Sequence, residues 1–159
     1  YAEGSHSAVR LLSTGSRVDN ITVSGIYGTF YQYCVGVTRY YNDYKPYGDF
    51  GNITLRDVHA SKSPRYPSFY TPESFVYPLI FVESGVHVES LVIDGMYRHE
   101  NAVDIDSLRV EADAFVGSLS LNNVIYSAGE GKAPFLINYG TIGKKTYANV
   151  NMLDGASFE

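Results

Sequence analysis

Apolar and polar residues alternate along this chain in short bursts that share one pattern. Five segments align without gaps: Val18-Asp-Asn-Ile-Thr-Val-Ser-Gly-Ile26, Phe50-Gly-Asn-Ile-Thr-Leu-Arg-Asp-Val58, Val88-Glu-Ser-Leu-Val-Ile-Asp-Gly-Met96, Val116-Gly-Ser-Leu-Ser-Leu-Asn-Asn-Val124 and Tyr147-Ala-Asn-Val-Asn-Met-Leu-Asp-Gly155. Their starts lie 32, 38, 28 and 31 residues apart. The fourth and sixth positions are apolar and two apart, the spacing that puts both side chains on one face of a strand. Between them Thr22, Thr54, Val92, Ser120 and Asn151 point the other way. The eighth position reads Gly25, Asp57, Gly95, Asn123 and Asp154. Those residue types tolerate positive φ best, so a sharp bend belongs there. The ninth residue is apolar again in all but the last segment, as it must be if the chain turns a corner around one core. The third position (Asn20, Asn52, Ser90, Ser118, Asn149) offers a side-chain ladder between stacked coils.

A second short strand precedes each segment: Val9 to Leu12, Val35 to Tyr40, Leu79 to Glu83, Leu108 to Glu111 and Phe135 to Tyr139. Turn-rich stretches such as Ser13-Thr-Gly-Ser16 and Ser84-Gly-Val-His87 join the two strands of a repeat. No helix is expected; Glu111-Ala-Asp-Ala-Phe115 is too short and sits between strand patterns. The pattern predicts an all-β chain, a parallel β-helix of about five coils forming a single domain over residues 1–159. A leucine-rich repeat has its own consensus and a shorter period, and a propeller blade needs four strands in 40 or more residues. A sandwich accommodates such strands but gives no reason for five corners of one residue class. Five coils at roughly 4.8 Å per strand stand about 24 Å tall. The chain opens Tyr-Ala-Glu-Gly and stops just past a corner, so a fragment of a longer β-helix is expected.

Composition narrows the function classes. Lys and Arg total 12 against 17 Asp and Glu, a net charge of −5, and no basic cluster favours a nucleic-acid partner. No apolar run approaches the roughly 20 residues of a membrane helix. The single cysteine, Cys34, excludes an internal disulfide framework and a cysteine-based zinc site; a buried free thiol is expected. Fifteen tyrosines stand against no tryptophan. They gather in two runs, Tyr27, Tyr31, Tyr33, Tyr40, Tyr41, Tyr44 and Tyr47, then Tyr66, Tyr70 and Tyr77, inside the two longest repeats. Aromatic faces stack on the C–H surfaces of sugars while phenols bond hydroxyls.

The Asn20-Ile-Thr-Val-Ser-Gly-Ile26 and Asn52-Ile-Thr-Leu-Arg-Asp-Val58 coils, and the Ala8-Val-Arg-Leu-Leu-Ser13 strand feeding the first, resemble the pectin-lyase-like superfamily of right-handed β-helices. The resemblance covers nearly the whole chain. It implies a polygalacturonase-like glycoside hydrolase or a pectate-lyase-like polysaccharide lyase, binding or cleaving an acidic polysaccharide. The host would be a secreted, periplasmic or cell-surface protein. The same architecture also serves non-catalytic segments of adhesins, tailspikes and glycan-binding surface proteins. The Asn-x-Asp, Asp-Asp, Gly-His-Gly and Arg-x-Lys motifs of polygalacturonases are absent.

The nearest acidic pair is Asp104-Ile-Asp106, whose carboxylates would form an acid/base couple if they shared a strand face. Expected substrate contacts are Arg10, Arg39, Tyr40, Tyr41, Tyr44 and Glu83, with Glu111 on the same face as Arg10, Arg39, Tyr40 and Glu83. Arginine there suits uronate carboxylates. No cofactor or metal is expected beyond a calcium suggestion from Asp43, Asp49 and Asp57, which are scattered rather than clustered. His59 and His99 are expected on one flank about 10 Å apart, too far to share a metal ion. The sequons Asn20-Ile-Thr22 and Asn52-Ile-Thr54 are explained by their ladder and strand positions. Partners are expected to be a polysaccharide, with self-association or further coils covering the open ends.

Overall fold

The computed structural model describes residues 2–40, 47–64, 77–99, 104–127 and 133–159. Among these lie nine strands: β1 (Ala2–Ser13), β2 (Ile21–Arg39), β3 (Gly48–Lys62), β4 (Ile80–Val82), β5 (Val86–His99), β6 (Leu108–Val110), β7 (Phe115–Ser127), β8 (Leu136–Asn138) and β9 (Thr141–Leu153). Every pairing is parallel. The long strands stack as β2-β3-β5-β7-β9, and the short ones continue from β2 as β4-β6-β8. This is a parallel β-helix, consistent with right-handed winding, with four turns between its first and fifth rungs.

The interior follows from the alternation. On the short-strand side Val9, Val35, Ile80, Leu108 and Leu136 stack in register, and Leu11, Val37, Val82 and Val110 stack beside them. On the long-strand side Ile53, Leu91 and Leu119 form one row and Leu55, Ile93 and Leu121 the next, nearly all sealed from solvent. Each such side chain contributes about 1.5–3 kcal/mol on burial. The partly buried members of the core, including Val9, Leu11, Ile21, Val23, Ile142, Val150 and Met152, belong to the first and last coils of the described residues.

The corners sit where the repeat puts them, with one correction. Gly25, Asp57, Gly95 and Asn123 have φ of 73, 53, 82 and 54°, and their neighbours pair rung to rung. The fifth corner is Asn149 (φ 55°), not Asp154. Ile142 pairs with Val116, Tyr147 with Leu121 and Val150 with Val124. The fifth repeat therefore runs from 142 to 150, and Asp154 (φ 53°) belongs to the turn after β9. Its fourth and sixth positions are Lys145 and Tyr147, which meet the tail residues Glu159 and Phe158. The apolar signal falls five residues later, on Val150 and Met152.

The side-chain ladder also moves. Asn52 Nδ2 reaches Asn20 Oδ1 at 3.5 Å, but below Ser90 and Ser118 the same row holds Lys144. The stronger ladder runs at the corner, where Asn123 donates to Asp94 Oδ1 and Asn149 to Asn123 Oδ1, both at 2.9 Å. Asn123→Ala is expected to cost about 1–2 kcal/mol, from left-handed strain plus the lost ladder. Asn123→Gly keeps the backbone free and is expected to cost less. Urea midpoints compare the two, and a glycine variant weaker than the alanine one refutes the corner assignment.

At the last rung the tail continues the short-strand ladder. Phe135 N–H donates to Ser157 O (3.0 Å) and Leu136 N–H to Phe158 O (2.8 Å). Phe158 packs on Tyr147 and Phe135, and Glu159 pairs with Lys145.

Candidate functional site

In each short-strand rung the middle residue points away from the core rows on either side of it. Arg10, Gly36, Phe81, Arg109 and Ile137 hold that middle position in register. Two residues further, Thr38, Glu83, Glu111 and Tyr139 form a parallel outer row. The bonds Glu83 N–H to Val37 O, Glu111 N–H to Val82 O and Tyr139 N–H to Val110 O carry the ladder through them. The result is a charged and aromatic strip along the helix axis, and two clefts open onto it.

The upper cleft, about 360 Å³, is lined by His6, Arg10, Gln32, Tyr33, Thr38, Tyr77, Phe81 and Glu83. Two features of the chain build it. β1 runs beyond the expected strand back to Ala2, pairing with β2 through Ser5 and Ser7, which brings His6 alongside. Gly36 has no side chain where a Cβ would fall 2.6 Å from Tyr33 Cε2, so the Tyr33 ring lies across the strand. Tyr33 stacks on Phe81 at 6.1 Å and meets Tyr77 edge-on at 5.9 Å. Arg10 donates Nε–H to Thr38 Oγ1 at 3.0 Å. Beneath the rim, the buried Lys62 ammonium donates to Tyr31 O at 2.9 Å and to Gln32 O, fixing the backbone that carries Gln32. Gln32 Oε1 is itself buried with no hydrogen-bond partner. Burial, then the nearby Arg10 charge, hold the His6 pKa below its ordinary value, and burial raises that of Tyr33. Cys34, behind this wall, is buried; desolvation pushes its thiol up to about 12 against the opposing pull of Lys62.

The lower cleft, about 330 Å³, is lined by Asp104, Ile105, Asp106, Arg109, Ala133, Pro134 and Ile137. A second buried cation organises it. Arg98 occupies an inward position in register with Tyr126, its guanidinium 5.3 Å from that ring. It donates to Ser107 Oγ (2.8 Å) and Ile105 O (2.6 Å). Both neighbours of Asp106 are thereby held, and Asp106 turns to Arg109 in a two-pronged pair, with Nε–Oδ2 at 3.0 Å. Burial lowers the Arg109 pKa, but the Asp106 hydrogen bond and the Asp106 and Glu111 charges outweigh it, leaving it raised.

Several expected site residues meet here and others do not. Arg10 and Glu83 line the upper cleft and Glu111 follows one rung below Glu83. Arg39 ends β2, where its N–H donates to Glu83 Oε2 at 2.8 Å. Its guanidinium lies against Gly85 in the turn, beside the strip rather than on it. Tyr40 is exposed and held through its N–H to Ser13 O. Tyr41 and Tyr44 lie outside the described residues, as does Asp43. Asp104 and Asp106 precede β6 in irregular backbone, so strand alternation does not align them. Asp104 is exposed while Asp106 is 1% exposed and committed to Arg109.

His59 pairs in register with Tyr97 on the adjacent rung, two residues before His99. It stacks on Tyr27 at 5.0 Å and bonds Asp57 at 3.1 Å. Asp49 sits near Arg17 and His87. Among the described residues no group of three or more His, Cys, Asp or Glu side chains is arranged to hold a metal ion, and no helix is long and apolar enough to cross a membrane.

Sequence reasoning missed His6, Gln32, Phe81, Arg109 and Ile137. Arg109 was within reach, because Val9-Arg-Leu11 and Leu108-Arg-Val110 are the same strand with arginine at its centre. The fold and this strip define a class: a parallel β-solenoid with an elongated polar and aromatic face, an architecture compatible with carbohydrate-binding and scaffold proteins. No protein-family model, curated protein or solved structure matches the chain.

Proposed function

We propose that this chain binds an extended acidic polysaccharide along the short-strand strip, as part of a secreted, periplasmic or cell-surface β-helix of the pectin-lyase-like kind. The observation that carries the reading is the register of Arg10, Gly36, Phe81, Arg109 and Ile137. It lays cations and apolar faces along a line longer than one sugar, with carboxylates and hydroxyls in the next row to bond ring hydroxyls. Arg10 is the cation best presented to a uronate, because Arg109 is already shared between Asp106 and Glu111.

One observation favours cleavage as a second reading. Glu83 and Glu111 are neighbours on consecutive rungs, a spacing of about 4.8 Å between strands. Retaining glycosidases hold their two carboxyl groups roughly 5–5.5 Å apart, a separation within reach of glutamate side chains on backbones spaced this way. Titration calorimetry with polygalacturonate oligomers tests binding, and reducing-end and unsaturated-product assays on the same samples test hydrolysis and elimination. The expected result is saturable binding without product, weakened about tenfold or more by Arg10→Ala through loss of a charge-assisted contact. Absence of binding to any acidic glycan refutes the proposal, and product formation abolished by Glu111→Gln moves it to the second reading.

A further inference from the structure

We infer that the recess of the upper cleft behind Arg10 is a pocket for the acetamido group of an N-acylated amino sugar. This rests on the reading that the strip carries a glycan and adds a chemical class to it. Gln32 Oε1 is a buried acceptor without a partner, a condition that costs free energy until a donor arrives. The atom is not placed by accident of a loose loop, because Lys62 clamps the Tyr31 and Gln32 carbonyls from below. A ligand group that reaches this atom is favoured if it brings an N–H or O–H.

Three chemistries converge in the recess, and they select among donors. Gln32 asks for a donor. Arg10 uses Nε–H on Thr38, and a guanidinium carries further N–H donors for a ligand oxygen. Tyr33, Tyr77 and Phe81 meet as a three-ring wall, with Tyr77 and Phe81 centroids 5.0 Å apart. A carboxylate can pair with Arg10 but brings no donor for Gln32. A hydroxyl brings a donor but leaves the aromatic wall unfilled. An acetamido group answers all three: its N–H to Gln32 Oε1, its carbonyl to Arg10, and its methyl against the rings.

The test compares three glycans of one length on the whole chain: chitohexaose, which carries acetamido groups, cellohexaose, which has hydroxyls in their place, and a polygalacturonate hexamer, which has carboxylates only. Chitohexaose is expected to bind about tenfold or more tighter than cellohexaose, the discrimination of a site whose buried polar atom is otherwise left unpaired. Saturation transfer should reach the acetyl methyl protons more strongly than the ring protons. Gln32→Met, which removes an unpartnered polar atom and is expected to fold at least as stably, should erase the chitohexaose preference. Equal binding of chitohexaose and cellohexaose, or a preference that survives in Gln32→Met, overturns the acetamido pocket. If polygalacturonate binds in that case, the polysaccharide reading of the strip stands without it. If chitohexaose alone binds, the pocket stands and the acidic reading falls, and if no glycan binds both are overturned.

Discussion

Ile93→Ala is expected to destabilise the chain by about 3–5 kcal/mol, with a large fall in the urea midpoint. Ile93 is fully buried at the centre of the stack, between Leu55 above and Leu121 below. Rungs spaced by backbone hydrogen bonds cannot close up around a deleted side chain, so the site keeps its cavity and the loss falls at the upper part of the range for such truncations. Against a typical domain stability of about 5–15 kcal/mol this is a large fraction. The same truncation at Val23, one row-mate in the first coil, is expected to cost about 1 kcal/mol or less, because Val23 is only partly buried and removes fewer atoms. Equal losses at the two positions refute the picture of a core that is most tightly buried at the centre of the stack.

Asp106→Ala is expected to cost about 3 kcal/mol and to distort the lower cleft. The carboxylate is almost completely buried, with both oxygens on Arg109. Removing one member of a buried pair leaves the other charge without its counter-ion, a loss of about 3–5 kcal/mol in comparable cases. The low end applies because Arg109 keeps Glu111 at 3.7 Å and its side chain is 16% exposed. Asp104→Ala, at an exposed carboxylate, is expected to lie within about 0.5 kcal/mol of the parent. Thermal melts of the two variants separate a structural Asp106 from an acid/base partner of Asp104: a stable Asp106→Ala protein refutes the structural role.

These two expectations mark what could and could not be read in advance. The Ile93 row is written in the alternation itself, since a period-two apolar pattern that returns every 28–38 residues can be buried only by stacking like on like. The Asp106–Arg109 pair is not. Asp104 and Asp106 invite alternation by their spacing, but that rule holds only inside a strand, and the strand begins at Leu108. What holds Asp106 is Arg98, a buried cation at an inward position whose sequence neighbours resemble any other rung. Lys62 does the same for Gln32 in the upper cleft. Lys62 lies in β3 and Arg98 in β5, while the groups they fix lie in the second half of β2 and in the segment before β6.

The sequence by itself determined the solenoid, the two strand classes, four of the five corners and the side of the helix on which Arg10, Glu83 and Glu111 lie. Each follows from local rules: alternation sets the buried face, and only Gly, Asn and Asp enter the left-handed turn without large strain. Tertiary structure alone decided the register of the fifth rung, the extension of β1 that brings in His6, the Tyr33 ring over Gly36, and the two buried cations beneath the clefts. Those features depend on which residue lies one rung away in space. That distance is about 4.8 Å across the sheet but 25 to 45 residues along the chain, and loops of variable length hide the correspondence until the backbone is wound.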